Sequence, residues 1–171
     1  MKTKFVVLRG PSASGKSTVA KMLFKEAVRK TALIDQDHYR FIFKPAGGGS
    51  KPNADTIHKM IKNNVLVALG DGYDVILEGI LSVKAYGKLL DYIFAKHPEN
   101  NYMFYFDVSL EETIRRHSFK NLDSELPSFG EKEMREWYDN AHKSNHKLER
   151  LIPETFSSQQ TLEFIKKVSG F

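Results

Sequence analysis

The chain has 171 residues, 41% hydrophobic and 27% charged, an ordinary globular balance, and a single domain of this size removes roughly 70% of its unfolded surface on folding. It has no cysteine, which excludes disulfides, thiolate zinc sites, iron–sulfur clusters and a cysteine nucleophile, and no apolar run approaches the roughly 20 residues of a membrane span. Its net charge of +5 divides into +7 over residues 1–30, where eight basic side chains face only Glu26, and −2 over the remaining 141, so a basic coat for extended nucleic acid is not indicated.

Met1 to Lys4 is followed by four apolar residues, Phe5 to Leu8. That is too short for a secretory core of about 7 to 15 residues, and the chain reads as cytoplasmic. The same run, bounded by Gly10 and Pro11, predicts a parallel strand buried on both faces. Val19, Leu23 and Ala27 recur at helical spacing with Met22 and Val28 beside them, predicting a helix over 17–28 with lysines on its outer face. Ala32 to Ile34 forms a second strand ending at Asp35. Between Phe41 and Pro52, three consecutive glycines and two prolines forbid regular structure, so residues 41–52 read as a mobile loop.

Ile57, Ile61, Leu66 and Leu69 predict a helix over 54–69, stopped by Gly70-Asp71-Gly72. Val75 to Leu77 is a third strand that runs into Glu78-Gly79, a helix spans 83–96, and Tyr102 to Phe106 is a fourth strand ending at Asp107. Ser109 and Glu112 stand three apart, the spacing of a capping box. Periodicity then fails at His117. The stretch 117–130 carries Asn121, Asp123, Ser124, Pro127 and Gly130, and irregular segments of that length inside a domain are usually functional. A polar helix over 131–147, a short strand over 148–153 and a last helix capped by Ser157 and Gln160 complete the chain. Strands alternate with helices without a repeat or a boundary, which predicts a single three-layer α/β domain with a mainly parallel sheet.

Gly10-Pro11-Ser12-Ala13-Ser14-Gly15-Lys16-Ser17 fits the pattern G-x-x-x-x-G-K-[ST], placed after a strand and opening a helix as that pattern requires. The glycines let consecutive backbone N–H groups turn inward, the helix start adds about half a positive charge, and Lys16 reaches the β and γ phosphates. Gly10, Ser12, Ala13, Ser14, Gly15, Lys16, Ser17 and Thr18 are the expected nucleotide-binding positions, with Ser17 on magnesium. Asp35-Gln36-Asp37-His38-Tyr39-Arg40 lies at the carboxyl end of the second strand, where open α/β sheets bind ligands. Phosphoryl transfer to an alcohol needs a carboxylate to take the proton, a second acid near magnesium and a cation for an anionic acceptor. Asp37, Asp35 and Arg40 fit those roles, and His38 borders the acceptor. The plainer reading of the same segment is a solvated strand end with Arg40 in a surface ion pair.

The order of strand, Gly10 to Ser17, helix, strand and Asp-x-Asp-x-x-Arg resembles the P-loop small-molecule kinases, in the branch of chloramphenicol phosphotransferase, the zeta toxins, gluconate kinase and the kinase domain of polynucleotide kinase. The likeness covers most of the chain. It implies a five-stranded sheet in order 2-3-1-4-5, a base at Asp37, an acceptor contact at Arg40 and a lid, about 117–130, that closes over ATP. It also implies an acid on magnesium at the end of the third strand, Glu78 beside Gly79, although Asp107 satisfies the same local pattern. Lid arginines of similar kinases sit where Arg115 and Arg116 end their helix. Arg116 is the preferred one, and a second would have to come from Arg135. A lid with Lys120 but also Asp123 and Glu125 speaks against a nucleoside-monophosphate acceptor.

His142 and His146 stand four apart without the intervening Glu of a zinc-protease helix and read as surface residues. Together these features predict an ATP- and magnesium-dependent kinase acting on a hydroxyl of a small molecule, such as a sugar, a nucleoside or an antibiotic-like compound. The alternatives are an ATP-gated binding module, which needs no base, and a polynucleotide 5′-hydroxyl kinase, which the −2 body of the chain disfavours.

Overall fold

Phe5 to Leu8 are fully buried because they form the middle strand of a sheet covered by helices on both faces. The structure, a computed structural model, describes residues 2–43, 53–120, 130–138 and 143–171. Most of the expected loop at 41–52 and lid at 117–130, together with His142, lies outside the described residues. Five strands, β1 (Phe5–Arg9), β2 (Thr31–Asp35), β3 (Asp74–Gly79), β4 (Asn101–Asp107) and β5 (Glu149–Pro153), make one all-parallel sheet in the order β2-β3-β1-β4-β5. The helices are α1 (Lys16–Glu26), α2 (Gln36–Ile42), α3 (Ala54–Gly70), α4 (Val83–Lys96), α5 (Leu110–Lys120), α6 (Glu131–Trp137) and α7 (Ser158–Ser169). Phe5 and Val7 share a core with Ile57, Ile61 and Val65 of α3 and Leu90 and Ile93 of α4. Val6 and Leu8 share the other with Val19 and Leu23 of α1 and Leu162 and Ile165 of α7. Among the described residues no helix is long and apolar enough to cross a membrane.

Four expectations need correction. The first helix ends at Glu26, because Ala27 is extended and turns the chain toward β2, leaving Val28 96% exposed. Phe41 and Ile42 are helical, because α2 starts directly at the end of β2 with Asp35 as its N-cap, accepting from the Asp37 N–H at 2.8 Å. The fifth helix continues to Lys120, past His117. The helix expected over 131–147 stops at Trp137, since beyond Tyr138 the sequence offers it almost no apolar residue at helical spacing. There the chain is instead tied by local polar bonds, the Ser144 N–H to Glu149 at 2.6 Å and the His146 N–H to the Ser144 hydroxyl at 3.1 Å. The caps divide as well. Ser157 and Gln160 bond reciprocally, at 3.2 and 2.9 Å. Ser109 accepts from the Glu112 N–H at 3.4 Å, but its own N–H donates to Glu154 at 2.9 Å, because Glu112 is engaged by Arg115 and Arg116.

The end of β1 carries a side chain that no motif singles out. Arg9 is 1% exposed, its Nη1 donates to Glu149 at 2.5 Å, its Nε donates to the Leu81 carbonyl at 3.1 Å, and its guanidinium lies 5.2 Å from the centre of the Tyr105 ring. The second carboxylate oxygen of Glu149 takes the Ser144 N–H. A buried ion pair is tolerable only when its remaining donors and acceptors are matched this way, and removing one partner strands the other. Glu149→Ala should therefore lower stability by about 3 to 5 kcal/mol in urea unfolding. Replacing both residues, Arg9→Met with Glu149→Leu, should recover most of that loss.

Candidate active site

The phosphate-loop segment leaves β1 through three residues with positive φ, Gly10 (+147°), Ala13 (+56°) and Gly15 (+101°). A Cβ on Gly10 would lie 2.9 Å from the Phe106 carbonyl oxygen, so only glycine lets the loop depart this close to β4. Gly15 precedes α1 without a side-chain cap, and the first turn holds no acidic residue. The N–H groups that begin α1 and the positive end of its dipole are thus left for an anion. Lys16 is buried, and its ammonium donates to the Pro11 carbonyl at 2.6 Å and the Ser14 hydroxyl at 3.2 Å. Ser12 and Ser17 are half-buried, and Thr18 is exposed on the same first turn.

The strand register sets the acids beside this loop. Leu8 pairs with Glu78 and Glu78 with Asp35, so the ends of β1, β3 and β2 stand in a row. Glu78 is 4% exposed. Burial pushes its carboxyl above the usual carboxylate range and Asp35 and Asp37 add to the rise, while a hydrogen bond with the Ser17 hydroxyl and the charge of Lys16 pull the other way. Four predicted residues, Ser17, Lys16, Asp35 and Asp37, therefore bear on Glu78. Asp35 and Asp37 are exposed at the start of α2, as is His38, whose ring lies edge-on 5.9 Å from Tyr39. Arg40 is in α2, but its side chain is outside the described set. Gly79 has φ +159° and faces the Gln36 side chain.

Asp107 is elsewhere. It ends β4, on the far side of β1 from Glu78, and is paired with Lys143 at 2.8 Å. The three candidate arginines also separate. Arg116 donates through Nη1 to the Ser14 carbonyl at 3.1 Å and through Nη2 to the Glu154 carbonyl at 2.9 Å, bridging the phosphate loop to the turn between β5 and α7. Its Nε donates to Glu112 at 2.7 Å, and hydrogen bonds from Arg115 and Arg116 hold the Glu112 carboxyl down to about 2. Arg115 is exposed and spent on Glu112, and Arg135 is paired with Glu131 on its own helix. Beside Arg116 a small cleft is lined by Ser14, Gly15, Val108, Pro153 and Phe156. Arg9, Gln36 and Glu154 carry contacts around this region that pattern matching did not find. The one local signal was the position of Gln36 between two acids.

A nucleotide and magnesium fit the donor set. Ser17 and Glu78 supply hard oxygens, and no cluster of three or more metal-binding side chains exists among the described residues. Magnesium commonly binds in such a setting, through one or two carboxylates, phosphates and water and not through an all-protein cage.

Comparison with known proteins agrees with this architecture. The fold is similar to an APS kinase, CysC, from Mycobacterium tuberculosis, solved in complex with AMPPNP and APS, at a TM-score of 0.71 and 14% identity, covering 99% of each chain. It is similar to a sugar kinase from a Janibacter species at a TM-score of 0.70 and 16% identity, covering 96% of this chain and 93% of that one. A gluconokinase from Sinorhizobium meliloti gives 0.64 and 15%, covering 98% and 94%. No curated protein matches the sequence. The five-stranded parallel sheet in this order is therefore the fold shared with these structures, and with residues 5–143 matching its sequence model, the chain belongs to the AAA domain family.

Proposed function

We propose that this protein is an ATP-dependent kinase that moves the γ-phosphoryl group to a hydroxyl of a small molecule. The observation that carries the reading is the meeting of Ser17, Lys16, Asp35 and Asp37 around the buried Glu78, at the mouth of one phosphate loop. The similarity to a sugar kinase, an APS kinase and a gluconokinase supports a small acceptor. A cysteine-free chain also suits a cytoplasmic enzyme.

In this reading the loop N–H groups and Lys16 hold the β and γ oxygens, exchanging the lysine's bonds to Pro11 and Ser14 for bonds to phosphate. Ser17 and Glu78, with Asp35 behind them through water, are the residues that would hold magnesium. The ion, when bound, neutralises charge on the phosphate oxygens. Asp37 accepts the proton of the acceptor hydroxyl as its oxygen bonds to the γ phosphorus, and the bond from that phosphorus to ADP breaks with its electron pair leaving on ADP. Asp35 orients Asp37 by accepting its backbone N–H. Arg116, from its place against Ser14, stabilises charge on the transferring group. Arg40 and His38 border the acceptor.

Lys16→Ala should abolish measurable ATP binding in titration calorimetry, and wild-type affinity in that variant would overturn the phosphate-loop assignment. Asp37→Asn should lower turnover by about 10² to 10⁴ while leaving ATP affinity nearly unchanged. Undiminished turnover would remove Asp37 from the mechanism. Incubation with γ-labelled ATP and a pooled metabolite extract identifies the acceptor class. Label in a small product is expected, whereas label on added oligonucleotide ends, or no transfer at all, contradicts the proposal.

A further inference from the structure

Gln36 separates the two acids of the Asp-Gln-Asp turn, yet its side chain behaves unlike theirs. Asp35, Asp37 and His38 are exposed, whereas Gln36 is 1% exposed and Tyr39, one helical turn on, is buried beside it in the sequence pattern of α2. A buried amide must be matched. The Gln36 Oε1 accepts the N–H of Leu81 at 3.0 Å, across the gap between the β2–α2 junction and the turn that follows β3.

Leu81 is itself unusual. It is fully buried and has φ +43°, a conformation that a branched side chain rarely adopts unless its surroundings impose it. Both of its backbone polar groups are claimed by side chains from distant elements, the N–H by Gln36 at the start of α2 and the carbonyl by Arg9 at the end of β1 at 3.1 Å. Arg9 directly precedes Gly10, the first residue of the phosphate loop. One residue therefore ties together the ends of β1, β2 and β3. The seat of Gln36 also explains Gly79, since a Cβ there would lie 2.4 Å from the Gln36 Oε1 and 2.6 Å from its Cβ. Gly79 and Glu78 are adjacent, so the contact that excludes a side chain at 79 presses directly on the segment bearing the buried acid.

We propose that Gln36 is a positioning residue: through Leu81 and against Gly79 it fixes the turn carrying Asp35 and Asp37 relative to Glu78 and the phosphate loop. It touches neither nucleotide nor acceptor. The proposal rests on the kinase reading for its effect on turnover, and on the geometry alone for its effect on how the acids are held. An apolar residue of equal volume fills the same space but leaves the buried Leu81 N–H unmatched, which frees the two turns to shift against each other. Displacements of about 1 Å among reacting groups are enough to cost about 10²-fold in rate.

The test uses the full chain with Gln36→Met, which keeps length and removes the acceptor, and with Gly79→Ala, which keeps Gln36 but obstructs its seat. Folding of each is checked by thermal unfolding, ATP turnover is measured with water as acceptor, and ATP affinity is measured by calorimetry with and without Mg2+. The expected result for Gln36→Met is a fall in kcat of about tenfold or more, with the magnesium-free ATP affinity within about twofold of wild type. The gain in ATP affinity from Mg2+ should shrink by about fivefold, because Glu78 and Asp35 no longer keep their places. Turnover and magnesium gain both unchanged overturn the proposal, and so does a magnesium-free ATP affinity that falls as far as the affinity with Mg2+. In a double-mutant cycle, Gly79→Ala should cost less turnover in a Gln36→Ala background than in wild type, and equal costs overturn the contact. If Gln36→Met fails to fold, that cycle decides. If wild type transfers phosphate neither to water nor to any product of the pooled extract, the kinase reading fails by itself, and the magnesium gain, lost or retained, still supports or overturns the role of Gln36.

Discussion

A guanidinium sealed at the end of the central strand constrains much of this molecule. Arg9 sits where β1 gives way to the phosphate loop, and a charge at 1% exposure must find its partners within reach or the strand end is not tenable. It finds them in three directions. Glu149 brings the start of β5 inward, the Tyr105 ring of β4 covers the face of the cation, and the Leu81 carbonyl fixes the turn after β3. The strand that delivers the phosphate loop is thereby fastened on both sides by something other than the ladder of backbone bonds. The pair contributes little net stability compared with apolar groups of the same shape, so its value lies in specifying how the strand ends meet.

Features written in contiguous residues were legible in the sequence. The unbroken apolar run of β1, the glycine pattern of the loop and the reciprocal cap at Ser157 and Gln160 each depend on neighbours a few positions away, and each appears where the pattern placed it. What escaped depends on partners far along the chain. Arg9 and Glu149 are 140 residues apart, and Gln36 and Leu81, like Ser109 and Glu154, are 45 apart. No local spacing announces such pairs. Glu78 and Asp107 illustrate the boundary, because both end an apolar strand with an acid and only the strand order sets one beside Ser17 and the other beside Lys143. The overlong polar helix after Gly130 has a different cause. Its charges were compatible with a helix, but charge alone supplies no apolar stripe to hold one.

The dense positive charge of the first 30 residues is distributed in the same spirit. Lys2 pairs with Glu99, Lys4 reaches the Gly170 carbonyl, Arg29 bonds to the Lys2 carbonyl and pairs with Asp74, and Lys30 reaches the Asp71 carbonyl beside the Tyr73 ring. These contacts join both chain ends and the β3 approach at the amino edge of the sheet, opposite the loop. Exposed pairs of this kind are individually weak. They do show that most of the basic residues near the start of the chain are occupied by the protein itself.

The placement of β1 between β3 and β4 bears on how the chain acquires its shape during synthesis. The phosphate loop is spelled by eight consecutive residues near the amino terminus, yet Gly10 takes its path against Phe106, and the strand before it pairs only with segments made much later. Such distant pairings close slowly, after the intervening chain has been ordered. Arg9 waits longer still, since Glu149 is made 140 residues after it. A nascent chain that has finished β4 but not β5 lacks the carboxylate that neutralises Arg9, so a segment remote in sequence from the glycine loop completes the strand on which that loop is built.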